Sequence, residues 1–211
     1  MTKILINGGW MMIPIVLSLF IGVALILERG WYFLMRRGTT APETMLQLME
    51  EGKFTDALAL TEQHRNPALQ VLASGIVNRL KDPVKAMESR GLGEIGNMKR
   101  GLPALDTIIT LGPLLGLLGT IIGMIDSFGI MAAKGMGQPH AVTGGVAEAL
   151  ICTAAGISVA VAILIPYNYF ISRVEQESER IEYFSTRAEA TLTSTTFSPS
   201  PQSAFSASIS R

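Results

Sequence analysis

Three stretches of this chain contain no Asp, Glu, Lys or Arg: Ile4 to Leu27, Thr107 to Ile125 and Ala149 to Ser172, each 19 to 24 residues long. A helix rises 1.5 Å per residue and needs about 20 residues to cross roughly 30 Å of hydrocarbon. All three qualify. Composition agrees, with 48% hydrophobic and 16% charged residues and a mean hydropathy of +0.38, values that a water-soluble fold rarely reaches. The expected fold class is an all-α integral membrane protein with three transmembrane helices and long cytoplasmic helical extensions.

The first stretch does not read as a cleaved leader. Only Lys3 precedes it, its apolar run is too long, and it ends in bulky Trp31-Tyr32-Phe33 followed by Arg36-Arg37 instead of a small-residue cleavage site. It is expected to stay in the mature protein. Positive residues are retained on the cytoplasmic side, and the 17 basic residues are distributed unevenly. Ten, from Arg36 to Arg100, separate spans one and two. Arg173, Arg180, Arg187 and Arg211 follow span three, and Arg29 sits at the inner end of span one. Only Lys3 and Lys134 fall outside. The expected topology is three crossings with the N-terminus outside and the C-terminus cytoplasmic. Trp10, Trp31, Tyr32, Tyr167 and Tyr169 near the span ends fit headgroup-level anchors.

The organisation that follows is a first transmembrane helix over 1–37, a cytoplasmic helical domain over 38–105, a second transmembrane helix over 106–129, and an outer hairpin over 130–143. A third transmembrane helix over 144–172 leads into a cytoplasmic helix over 173–192 and a disordered tail over 193–211. In the long loop, Thr40-Ala41-Pro42-Glu43 reads as a helix start, with proline in the first turn and an acidic residue after it. Phe54, Ala57, Leu58 and Thr61 form a short amphipathic pattern between breaks at Gly52 and Asn66-Pro67. Leu69, Leu72, Ala73, Ile76, Val77 and Leu80 then trace one apolar helical face. Beyond span three, Ile171, Val174, Ser178, Ile181, Ser185, Ala188 and Leu192 keep the same spacing along a packing seam. The Ser/Thr/Pro/Ala-rich remainder has too few apolar groups to offset ordering entropy.

Spans two and three carry the informative pattern. Gly112, Gly116, Thr120, Gly123 and Ser127 fall at three- and four-residue steps, as do Gly145, Ala149, Thr153, Gly156 and Ala160. Small residues on one face let helices approach closely in lipid. Two uses of such faces stay open, helix packing alone or the wall of a pore. The antiparallel sense of the two spans puts Thr120 and Thr153 at one depth, roughly 10 to 12 Å below the outer end. Glu148 is the acidic residue inside the third span, near its outer mouth. Burying such a group costs about 2.5 kcal/mol or more at the membrane centre and less near the interface, so it is either functional or an interfacial carboxylate reached by water. It lies five positions and about 140° from Thr153, so the two cannot share one narrow line. Asp106, Asp126 and Glu28 beside Arg29 read as interfacial charges. No carboxylate falls at mid-depth in any span, so a partner is expected to carry the proton across.

No metal-ligand spacing, phosphate loop or nucleophile–base pair is visible, and the histidines, His64 and His140, fall in loops. The chain is expected not to be an enzyme and to need no cofactor or metal. Without a basic patch interleaved with aromatics it is expected to have no nucleic-acid partner. The single Cys152 reads as a small packing residue.

Between Gly9 and Phe170 the chain resembles the MotA/TolQ/ExbB proton-channel family, its ExbB branch most. The carriers are Gly9-Trp10-Met11-Met12-Ile13-Pro14 with Glu28-Arg29, the loop pattern Gly52-Lys53-Phe54 with Asn66-Pro67, and two membrane signatures, Leu111 to Met124 and Gly145 to Gly156. The resemblance implies a homopentameric ring whose second and third spans line a pore around the single helices of an ExbD-like partner, which supplies a proton-carrying aspartate. It further implies that Thr120 and Thr153 line the pore beside that aspartate and that Glu148 sits in its outer region; the small-residue faces make Gly112, Gly116, Gly123, Ala149, Gly156 and Ala160 the expected helix-packing or pore-wall residues. Proton flow inward would drive outer-membrane transport through a TonB-like protein. A TolQ-type role in envelope maintenance, a sodium-driven variant and a non-conducting membrane scaffold stay open. The short N-terminus and the Ser/Pro-rich tail depart from the family pattern.

Overall fold

A computed structural model describes residues 9–35, 40–63, 66–134 and 139–196. Lys3, Arg36, Arg37, His64, Arg65, Arg211 and the tail beyond 196 lie outside the described residues. Among those described, every regular element is a helix: α1 (Met12–Met35), α2 (Ala41–Glu50), α3 (Phe54–Gln63), α4 (Pro67–Val77), α5 (Pro83–Lys99), α6 (Leu102–Lys134) and α7 (Pro139–Thr196). Three helices are long and apolar enough to cross a membrane. The segment 130–143 is helical at both ends, leaving only 135–138 undescribed, and helix continues through 193–196, where the tail was expected to begin.

The chain divides into two compact units. The membrane unit holds α1, α6 and α7 up to residue 172. Its centre is Ile163, fully buried, against which Gly22 of α1 and Ile108 of α6 converge; Gly22 has no side chain because Ile163 fills that space. Phe33 of α1 stacks on Phe170 of α7 at 5.6 Å between ring centres. Arg29, also buried, pairs with Glu28 at 2.7 Å and covers the Tyr32 ring at 5.1 Å. Away from these contacts α1 exposes Ile13, Leu17, Phe20, Leu27, Trp31 and Leu34, an apolar stripe suited to lipid or to other membrane helices.

The second unit contains α2 to α5 and α7 from 173 onward. Helix α2 starts as its residues dictate, with Pro42 in the first turn and Glu43 beside the positive end of the helix dipole, although Thr40 makes no side-chain cap. Gly52, with φ of +76°, reverses the chain so that α3 folds back on α2. The Asn66-Pro67 break is also a helix start: the Asn66 carboxamide accepts from the Ala68 N–H at 2.9 Å, and proline follows where its missing donor is not needed. Met45, Leu46, Met49, Leu69, Leu72 and Ile76 form the core between these helices. The apolar face read through Leu80 ends earlier, however. Asn78 caps α4, so Leu80 lies beyond the helix, 87% exposed, and Val77 in the last turn is 70% exposed. Ser74 and Gly75 bring α5 in: the Ser74 hydroxyl donates to the Ala86 carbonyl at 3.1 Å, and Gly75 is overlain by Met87 and Leu192. The seam of α7 buries Val174, Ile181, Phe184, Ala188 and Leu192, and Arg187 reaches Glu50 at 3.1 Å.

Candidate functional site

The small-residue faces of α6 and α7 meet each other within one chain, antiparallel. A Cβ built on Gly112 would stand 2.8 Å from the Gly156 carbonyl oxygen and 3.5 Å from the Ala160 Cβ. One on Gly116 would stand 2.9 Å from the Thr153 Cα, and one on Gly123 2.9 Å from the Ala149 Cβ. Gly156 faces the backbone of Gly112 and Gly116 in return. Thus Gly112, Gly116, Gly123, Ala149, Gly156 and Ala160 all lie along a single seam where two backbones approach too closely for larger side chains. Ser127 continues it, buried against Gly145 and donating to the Gly123 carbonyl at 2.7 Å.

The two threonines part company here. The Thr153 hydroxyl crosses the seam and donates to the Gly116 carbonyl at 2.9 Å, tying α7 to α6. The Thr120 hydroxyl donates to the Leu117 carbonyl of its own helix at 2.7 Å. Its place in the seam is taken by Gly119, overlain by the Cys152 side chain. Three-residue and four-residue steps from Gly116 lead to Gly119 and Thr120 respectively, and both satisfy helical periodicity. The preference for Gly119 comes from the partner helix, where the Cys152 sulfur needs the missing side chain. Sequence periodicity alone could have admitted Gly119 but could not rank it first.

Glu148 stands exposed beside the seam, and its carboxylate lies against Gly9 in the turn that leads into α1. A cavity of about 30 Å³, large enough for a water, opens between Gly9, Gly119, Cys152, Glu148 and Asp126. Asp126, read from sequence as a separate interfacial charge, therefore shares a cavity wall with Glu148. Antiparallel helices put an acid near the far end of α6 and another near the start of the third span at one depth, but only packing brings them to one cavity. Between Asp106 and Asp126, and between Glu148 and Arg173, the chain carries no ionisable carboxylate or base. Among the described residues no cluster of three or more His, Cys, Asp or Glu could hold a metal ion.

Comparison with known proteins identifies the family. Residues 60–183 match the model of the MotA/TolQ/ExbB proton channel family. A biopolymer transport protein named ExbB-like 1 from Synechocystis is 32% identical over 189 residues, 85% of this chain and 72% of the relative. An ExbB homolog of Methanothermobacter thermautotrophicus is 36% identical over 64% of this chain and 48% of its own length. The Tol-Pal system protein TolQ of Pseudomonas aeruginosa is 30% identical over 77% of this chain and 81% of the relative. With three apolar helices and a match over most of its length, this chain is a multi-pass membrane protein that belongs to the MotA/TolQ/ExbB proton channel family.

Proposed function

We propose that the chain is the ring-forming subunit of an ion-driven motor of the ExbB type. Five copies surround the single transmembrane helix or helices of an ExbD-like partner in a bacterial inner membrane. The N-terminus is periplasmic, and α2 to α5 with the end of α7 are cytoplasmic. The observation that carries this reading is the α6–α7 hairpin: two backbones locked by glycine contacts and by the Thr153–Gly116 hydrogen bond, with no Asp, Glu, Lys, Arg or His along their middle. Such a hairpin is a stiff wall that cannot itself pass a proton. It can position one carried on another helix, because a neutral wall adds no competing charge and a close-packed one does not yield when a neighbour moves.

In this scheme protons approach from the side of Glu148 and Asp126, whose carboxylates and the water-sized cavity between them provide acceptors at the outer mouth. An aspartate on the partner helix takes the proton, loses its charge and passes the apolar middle of the ring, with Thr120 as a pore-lining hydroxyl. Thr153 fixes the wall. One charge moving through 100 mV releases about 2.3 kcal/mol, so several protons per step can shift a helix and drive a TonB-like protein. The 30% identity to a TolQ over most of both chains supports a second role for the same machine, envelope maintenance in place of transport.

The test is proton flux in vesicles containing this chain and a single-span partner with an aspartate in its helix. Flux should require both proteins and collapse when that aspartate becomes Asn. A complex that assembles, conducts neither protons nor sodium, and works unimpaired after the gradient is dissipated would be the passive scaffold instead.

A further inference from the structure

In the second unit, α5 and the 178–189 stretch of α7 enclose an open groove of about 370 Å³. The helices meet at Gly91, where a Cβ would stand 3.5 Å from Ile181, and the floor between them is apolar, built of Met87, Ile181 and Leu92. Met87 and Ile181 are buried, whereas Leu92 is 67% exposed, so the floor continues outward as uncovered hydrophobic surface. The rim has one sign of charge. Glu88 lies on one wall, Glu182 and Glu189 on the other, and no Lys or Arg lines the groove.

The nearby arginines do not neutralise that rim. Arg90 pairs with Glu94 at 3.0 Å, Arg180 with Glu177 at 3.5 Å, and Arg187 with Glu50 at 3.1 Å. Among the described residues Glu88, Glu182 and Glu189 make no ion pair. An apolar trough bordered by three unneutralised carboxylates repels an acidic or purely polar occupant and attracts a cationic amphipathic one. Glu182 and Glu189 are seven residues apart, two helical turns or about 10.5 Å, which suits basic groups two turns apart on a helical ligand.

The geometry points to this groove as a docking site for a cationic amphipathic helix of a partner protein, its apolar face on Met87, Ile181 and Leu92 and its Lys or Arg side chains on Glu88, Glu182 and Glu189. The inference is independent of ion conduction, since it concerns only the second unit.

The probe is a fluorescent synthetic helix of Leu and Lys with its apolar residues on one face, titrated against the full chain in nanodiscs, beside a counterpart with Glu replacing Lys. The Lys peptide should bind saturably, one per protomer, and more weakly as salt rises; the Glu peptide should not bind. The triple change Glu88→Gln, Glu182→Gln, Glu189→Gln should weaken binding about tenfold, while Glu43→Gln, Glu62→Gln, Glu175→Gln, equal in charge and outside the groove, should leave it unchanged. Equal losses in both sets, or none in the groove set, would overturn the site. Ser185→Cys, made in a Cys152→Ser background, should react with a soluble maleimide in the intact assembly and be protected by the Lys peptide. Cross-linking of that cysteine to a second copy, or failure to label, would mean that the groove is already covered by the chain itself and would also overturn the proposal.

Discussion

Thr153 shows how much one hydroxyl can decide. Its donor is committed to the Gly116 carbonyl on the neighbouring helix, whereas that of Thr120 is committed one turn back on its own. Thr153→Val keeps the shape and removes the tie, which in membrane helices costs about 0.6 kcal/mol. We expect a small loss of thermal stability in detergent together with reduced proton flux, and recovery of both in Thr153→Ser. Thr120→Val, by contrast, should leave stability unchanged, because only a local backbone contact is lost, and should lower flux if the hydroxyl lines the path. Glu148→Gln and Asp126→Asn should each slow proton entry without unfolding the chain, since both carboxylates are exposed; comparing flux with thermal midpoints separates the two effects. The importance of Glu148 was legible from an acid within an apolar stretch. Its neighbourhood with Asp126 was not, because 22 positions of sequence separate them and only the hairpin closes that gap.

At the scale of elements, glycines divide by what stands opposite them. Gly116→Ala puts a methyl group 2.9 Å from a backbone carbon that cannot rotate away, and we expect destabilisation of about 1–3 kcal/mol, read as a lower unfolding midpoint. Gly96 in α5 faces open space in a helical conformation, so Gly96→Ala should instead stabilise by roughly 0.5–1 kcal/mol. Gly101, at φ of +81° between α5 and α6, is constrained by its backbone; Gly101→Ala should cost about 1–2 kcal/mol. Composition treats all three alike. Helix boundaries behave similarly: the start of α2 could be read from Pro42 and Glu43 because capping is local chemistry, but the exposure of Val77 and Leu80 could not. Their spacing continues the apolar face, yet Asn78 stops the helix before Leu80 can join it, and Val77, in the last turn, is left uncovered.

For the whole molecule, the proposed assembly gives a mass test. Light scattering of the purified complex, corrected for detergent, should return five copies of the 22.7 kDa chain, with any additional mass belonging to the partner. In a Cys152→Ser background, Ala133→Cys should be labelled from the outer side and Ser185→Cys from the cytoplasmic side; the reverse would overturn the orientation. Sequence by itself determined the membrane class, because three charge-free runs of spanning length leave the backbone no other economical way to satisfy its polar groups than as helices. It also determined the small-residue character of spans two and three, and enough of the family's motifs to identify it. Only the tertiary structure decided that those small residues face one another, that Gly119 and not Thr120 lies in the seam, and that Asp126 meets Glu148. Periodicity specifies which residues share a face of a helix; which face a neighbour covers depends on side chains brought together from distant parts of the chain, and that is a property of packing.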